Sequence, residues 1–455
     1  MWVYRSIRFL SALLRGDLAG TLLVGHPGVI TMMCGSLGIA VRRFLFGAVA
    51  AEFDVLSQLP ALMPDDAQSL RMLAAFLPAA KLPMALLNAV CILAIYLLLK
   101  KLVSAKAALL AAVLLGLDPF HIALSRVLHI DAATANLMMC SLLALLVSDN
   151  LARPATPVTQ SPPVVARRLG LPRATPRSWL ILSGVFAGLA LLAKSYAVFL
   201  VPFTGLLLIV SYLAKGRSFR DVILAFAAWC AGAAATFVLL WPAMWVNPIG
   251  TLQSFLGTAF GYAAVLSETP GFFLGRAVED PGAVFYVVAL AFRTTPLAWL
   301  GLAMLLIVAV QALRKASLRS GAHLRPALAS QQLTVLALVA YTGLFVALLA
   351  LATKKFDRYM LPPIVALDIL AGLGLARLIE RIEHRATALI LATALLAQAA
   401  FVASHHPYYL AYYNPLVGGS SLAPQVMPLG WGEGLDLAAD YLNRKPNAEQ
   451  LSVAT

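Results

Sequence analysis

The sequence predicts an all-α polytopic membrane protein, and three observations carry that prediction. The 455 residues are 61% hydrophobic and only 12% charged, with a mean hydropathy of +0.86, whereas a soluble globular chain is about 45–50% apolar and about 25% charged. The apolar residues gather into ten runs, each approaching the length needed to cross a hydrocarbon core, some only with flanking residues included. The basic residues gather in every second gap between those runs, which is the pattern of topology-setting charge.

The chain opens with MWVYRSIRFLSALLRGD. Arg5, Arg8 and Arg15 interrupt any signal-peptide core and fall within about 80° of one another on a helical wheel. Ile7, Phe9, Leu10, Leu13 and Leu14 fill another arc, so this segment is expected to be an amphipathic helix lying in the membrane interface. Residues 27–41 are apolar but short and end at Arg42–Arg43; they read as an eleventh span or a re-entrant segment. The ten spans follow at about 82–99, 105–122, 132–148, 179–193, 196–214, 222–242, 296–312, 331–352, 359–378 and 386–403. No internal repeat is evident.

One set of alternate loops carries 18 basic residues, among them Lys100, Arg177, Lys215, Arg314 and Arg377, against four acids, Asp149, Asp221, Glu380 and Glu383. The positive-inside rule makes that face cytoplasmic. It also holds a Pro-rich linker, 152–177, expected to be extended. The domain reading is therefore an N-terminal outer-face region 1–82, a transmembrane bundle 83–403 with an outer loop 243–295, and an outer-face tail 404–455. A multi-pass protein of a bacterial inner (plasma) membrane is expected. The net charge of +14 is scattered over loops rather than concentrated in a patch, so nucleic acid is excluded as a partner and membrane lipid is included. Cys34, Cys91, Cys140 and Cys230 lie singly in apolar stretches and read as small buried hydrophobes.

The outer face holds the candidate chemistry. In SRVLHID, residues 125–131, Arg126, His129 and Asp131 crowd the gap between two spans. Asp131 opens a span, so it reads either as a helix N-cap or as a carboxylate kept at the membrane boundary for function. Arg126 and His129, three apart, would share one face if helical, or serve as interfacial anchors. Lys194 interrupts an apolar run, and Lys354, Lys355 and Arg358 precede another span. Snorkelling explains such cations, yet positive charge on the outer face opposes the topology rule, and a lipid-linked phosphate would give it a purpose. His26, before Pro27–Gly28, and His405–His406 are weaker signals. A divalent metal is compatible with these histidines but is not indicated by any ligand spacing.

Several segments recur in a fixed order from residue 4 to residue 443: RSIRFLSALLRGDLAGTLLVGHPGVITMMCG, SRVLHIDA, LLAKSYAVFLVP, WPAMWVNP, VEDPGAVFYVVALAFRTTPL, KKFDRYMLPPIVALD, and HHPYYLAYYNPLVGG followed by GWGEGLDLAADYLN. Together they resemble the membrane glycosyltransferases of GT-C fold, in the branch of the protein O-mannosyltransferases and aminoarabinose transferases. The resemblance implies a GT-C-type bundle of 10–11 spans with interfacial helices in the outer loops. It implies inverting transfer of a sugar from a polyprenyl-phosphate carrier to an acceptor hydroxyl of protein, lipid or glycan outside the cytoplasm. It makes Asp131 the catalytic carboxylate of SRVLHID and sets His26 near the carrier phosphate. Arg126, His129, Lys194, Lys354 and Arg358 become carrier-phosphate or sugar ligands. A carboxylate base suits a weak hydroxyl nucleophile, and cations suit the charge left on the departing carrier.

The resemblance also implies a first transmembrane helix and an outer acidic pair ahead of residue 4, which would supply the best candidate for the base with SRVLHID as the other half of the acidic site, and a tail that continues beyond residue 455; this chain shows no acid before Asp17. An inactive relative of the same fold, a transporter of a charged or glycolipid substrate using Asp368, and another lipid-linked glycan enzyme are the competing expectations.

Overall fold

The structure is a computed structural model that describes residues 1–25, 27–47, 49–63, 66–151, 175–264, 271–318, 330–352, 354–381 and 385–451. The Pro-rich linker lies almost wholly outside the described residues. Among the described residues eight helices are long and apolar enough to cross a membrane, or up to ten if each of two bent pairs is one span. These ten segments coincide with the ten apolar runs of the sequence, and the chain is a multi-pass membrane protein.

Helix α1, Trp2–Leu14, forms where the arginine-striped segment is expected. Its apolar side is packed in part: Val3, Tyr4, Ile7 and Leu10 enter a core shared with α2, Val29–Ala40, α3, Ala50–Gln58, and the first half of α4, Ala67–Leu99, while Leu13 and Leu14 stay exposed. The 12 residues of α2, about 18 Å, continue without a break into a π-helical turn, Val41–Leu45, that carries Arg42 and Arg43, so the apolar part is shorter than a span. The first run of the sequence, 82–99, is the second half of α4, which starts 15 residues earlier and continues through Pro78 and Pro83. Asp66 caps it by accepting from the Ser69 amide.

The second run is broken. Helix α5, Ala105–Gly116, and α6, Pro119–Arg126, meet at 63°. Asp118 supplies the new N-cap, accepting from the His121 amide at 2.6 Å, with Pro119 opening the helix. Helix α7, Ile130–Leu151, then runs through the centre of the bundle, buried along its whole span. Its small residues allow this, and polar pairs fasten it to α8, Pro176–Ala193. Ser141 Oγ donates to Ser183 O at 2.9 Å, Ser183 Oγ donates to Ser141 O at 2.7 Å, and Trp229 Nε1 donates to Ser183 Oγ at 3.0 Å.

Trp229 belongs to α10, Phe219–Leu240, which follows α9, Leu200–Ala214. Helix α8 crosses α10 at contact distance because a Cβ on Gly184 would lie 2.3 Å from Trp229 O, and one on Gly188 2.5 Å from Ala233 O. The next segment holds α11, Ala243–Val246, α12, Pro248–Ala264, a hairpin of β1, Gly271–Phe273, with β2, Arg276–Val278, and α13, Val284–Arg293. The hairpin is antiparallel, with Phe272 opposite Ala277. Helices α14, Pro296–Leu318, α15, Ser330–Ala350, and α16, Leu361–Arg381, complete the bundle, with α16 buried against α5, α7, α14 and α15. The last run is α17, Arg385–Ser404, bent by 116° into the tail, which carries α18, Gly419–Val426, and α19, Leu435–Asn443.

Candidate functional site

The site assembles around the first turn of α7. Three contacts hold the preceding chain in place. Asn88 Nδ2 of α4 donates to Ser125 O at 3.2 Å, Asn136 Nδ2 of α7 donates to Asn88 Oδ1 at 3.0 Å, and His121 Nε2 of α6 lies 2.9 Å from Asn136 Oδ1. These buried side chains satisfy one another inside an apolar bundle, where an unpaired polar group is costly. They fix the short connection 127–129 between α6 and α7.

Asp131 is fully buried. Its Oδ1 accepts from Lys194 Nζ at 2.5 Å. Its Oδ2 faces His129 Nδ1 at 3.1 Å and Arg358 Nε at 3.6 Å. The first of these is close but misaligned and the second is long, so Oδ2, His129 Nδ1 and Arg358 Nε are all buried without a hydrogen-bond partner. No first-turn amide donates to this carboxylate, so capping does not account for it. Two fixed cations against one carboxylate leave one positive charge in excess, before His129 is counted.

Each cation is placed by a chain break. Lys194 follows α8 and precedes the 3₁₀ turn Ser195–Phe199. Its ammonium lies 4.5 Å from the Tyr196 ring centre and 4.3 Å from that of Tyr359, so aromatic faces replace part of its hydration. Arg358 lies on the 3₁₀ turn Asp357–Met360 that feeds α16. Its guanidinium sits 4.1 Å over Phe356 and 5.1 Å over Trp431. The His129 ring is bracketed by Trp431 at 4.7 Å and Trp2 at 6.1 Å.

Of the residues singled out in the sequence, Asp131, His129, Lys194 and Arg358 therefore meet. Arg126 does not join them. Helix α6 ends at Arg126 and Val127 is extended, so Arg126 and His129 do not lie on one helix and the face they would share if helical is absent. Arg126 Nη1 instead donates to Pro407 O at 3.1 Å and stacks 4.8 Å over Tyr409. Lys354 lies 5.7 Å from the Phe356 ring, beside the cluster and not in it. Its neighbour Lys355 is buried and binds Asp280 Oδ1 at 2.6 Å, tying the turn to the 243–295 segment. His26 lies outside the described residues. His405 and His406 contact Phe401 O and Tyr409 OH, and no set of three His, Cys, Asp or Glu side chains suited to a metal occurs among the described residues. Asp368 lies buried within α16 and, like Asp118, has an Oδ2 without a hydrogen-bond partner.

Arg293 is the residue that sequence reasoning missed. It is fully buried at the end of α13. Its Nε and Nη2 donate to Asp357 Oδ2 at 2.8 and 2.6 Å, Nη1 donates to Leu410 O and Tyr412 O at 2.8 Å each, and Nη2 also donates to Tyr413 OH at 3.1 Å. One guanidinium thus joins α13, the tail and the turn that carries Arg358. The only available signal was a basic residue ending an apolar run inside VEDPGAVFYVVALAFRTTPL.

No protein-family model matches the chain, and no curated protein matches it. Solved structures do match. ArnT from Cupriavidus metallidurans in the apo state aligns with 83% of this chain and 55% of its own, at 16% identity and a TM-score of 0.50. The archaeal oligosaccharyltransferase AglB from Archaeoglobus fulgidus, in complex with an inhibitory peptide and a dolichol-phosphate, aligns with 99% of this chain and 54% of its own, at 14% identity and a TM-score of 0.49. The chain spans about half the length of these structures. With up to ten segments able to span among the described residues and α7 and α16 at its centre, the chain has the GT-C-type fold.

Proposed function

We propose that the protein transfers a sugar from a polyprenyl-phosphate carrier to an acceptor hydroxyl, with inversion, at the end of the bundle that holds Asp131. The observation that carries this reading is the buried cluster itself. Lys194 and Arg358 converge on one carboxylate with positive charge to spare, while Oδ2, His129 Nδ1 and Arg358 Nε face one another unsatisfied. Buried polar atoms left in that state mark a place where a ligand completes the bonding. An anion meets two cations there more favourably than in water. The likeness in fold to ArnT, an aminoarabinose transferase, points the same way.

The chemistry follows from the charges. The acceptor oxygen attacks the anomeric carbon, the bond from that carbon to the phosphate oxygen breaks, and the carrier phosphate leaves with the electron pair. The charge on the carrier grows from one to two negative units as it departs, and Lys194 and Arg358 stabilise that growth. As they turn to the phosphate, Asp131 is released to accept the hydroxyl proton. The resting ion pair thus keeps the base masked until the donor is bound. The face opposite the basic loops is the side assigned to this site by the charge rule.

The test uses the full chain in liposomes with radiolabelled polyprenyl-phosphate sugars and a membrane extract as acceptor. Transfer of label is expected, and D131N should slow it at least about 100-fold. Transfer at an undiminished rate in D131N would refute the assignment of the base, and no transfer from any carrier sugar would refute the reaction class.

A further inference from the structure

The stretch GWGEG, residues 430–434, has no task in the carboxylate–cation cluster as described so far. It lies between α18 and α19 and is built around its glycines. A Cβ on Gly430 would meet Glu433 Oε2 at 2.6 Å. Gly432 and Gly434 have φ of 85° and 84°, in the left-handed region that side chains avoid. The Glu433 carboxylate closes the turn by accepting from the Trp431 amide at 3.0 Å. The backbone is tied so that one indole projects from it.

That indole is 42% exposed. It packs against two members of the cluster, with its ring centre 4.7 Å from that of His129 and 5.1 Å from Arg358 Cζ. Both of those residues approach Asp131 Oδ2. Trp431 is therefore one layer out from the carboxylate, with aromatic surface open beyond it. An indole offers an electron-rich face. The C–H face of a pyranose ring is apolar and slightly positive and stacks on such a surface, whereas a phosphate finds its partners in the cations beneath.

We propose that Trp431 is the sugar-stacking, specificity-determining residue of this pocket: it receives the sugar ring of the lipid-linked donor, while Lys194 and Arg358 receive the phosphate. The proposal rests on the glycosyltransferase reading and adds a division of labour to it. Bare carrier phosphate engages only the cations, and the glycosylated carrier engages the indole as well.

The experiment measures equilibrium binding of two probes, undecaprenyl phosphate and undecaprenyl-phosphate hexose, to the detergent-solubilised full chain. W431A should weaken binding of the hexose-bearing carrier about 10-fold and leave the bare carrier within about 2-fold, as loss of one aromatic stack implies. W431F keeps a flat ring in a folded loop and should recover the hexose-bearing carrier to within about 3-fold of the natural chain. Equal losses for both probes, or no loss for either, would overturn the proposal while leaving the transferase reading intact. A natural chain that binds neither probe would overturn the transferase reading and the proposal with it.

Discussion

Replacing Lys194 by methionine keeps the length and apolar bulk of the side chain and removes only its charge. The ammonium stands 2.5 Å from Asp131 Oδ1, where the attraction at an effective dielectric of 20 is about 7 kcal/mol. Desolvation of both ions offsets much of that, and breaking a buried pair by deleting one partner costs roughly 3–5 kcal/mol. Arg358 remains 3.6 Å from Oδ2 and compensates in part, so the low end, about 3 kcal/mol, is expected. D131N strands Lys194 instead, but Tyr196 and Tyr359 still face the ammonium, and a cost of about 3 kcal/mol is expected again. The double variant leaves no charge stranded between the two positions. It should cost about 3–4 kcal/mol rather than 6, a coupling of about 2–3 kcal/mol. Reversible unfolding of the four chains in mixed micelles measures this cycle. Single costs that add to within about 0.5 kcal/mol would show that the two groups are independent and would refute the account of the cluster.

Three further outcomes follow from the same geometry. R293Q leaves Asp357 without its guanidinium and should destabilise the protein by roughly 3–5 kcal/mol; R293K should recover less than half of that, because an ammonium cannot reproduce the planar fork, and unfolding together with proteolysis of the tail checks both. G188V places a branched side chain where even a Cβ would lie 2.5 Å from Ala233 O, so α8 and α10 must separate; a loss of more than about 2 kcal/mol in the same unfolding assay is expected. The Lys355 hydrogen bond, aided by the Gly282 amide, holds Asp280 below the usual carboxylate range. Because the folded value is the lower one, the tie stabilises above the ordinary carboxylate pKa and is lost as pH falls through the lowered value. At a part-exposed carboxylate the difference between the natural chain and D280N should be about 1 kcal/mol or less, present at pH 7 and closing in strong acid, and stability measured against pH tests that sign.

The spanning helices were legible because each is a run of apolar residues bounded by charge. So were Asp131, His129, Lys194 and Arg358, since each is a polar residue at the edge of such a run. Their meeting was not legible: Lys194 lies 63 residues from Asp131, and Arg358 is farther still. The first half of α4 was hidden because Arg71, Lys81, Pro78 and Pro83 break its apolar pattern. The bend between α5 and α6 was hidden because the turn chemistry of Asp118–Pro119 is embedded in one continuous apolar run. The separation of Arg126 from His129 was not legible, because spacing gives a shared face only within one helix and an extended Val127 lies between them. Asp357 was passed over for its basic neighbours, and its partner Arg293 is 64 residues away.

Asp357 and Arg358 are consecutive residues that answer to different masters. The first grips Arg293, which itself grips Leu410, Tyr412 and Tyr413; the second reaches toward Asp131. A single peptide bond therefore joins the residue that anchors the tail to the residue that faces the charged pocket. Through one guanidinium, Leu410, Tyr412 and Tyr413 are bonded to the turn that carries Arg358, although they lie some fifty positions further along the chain.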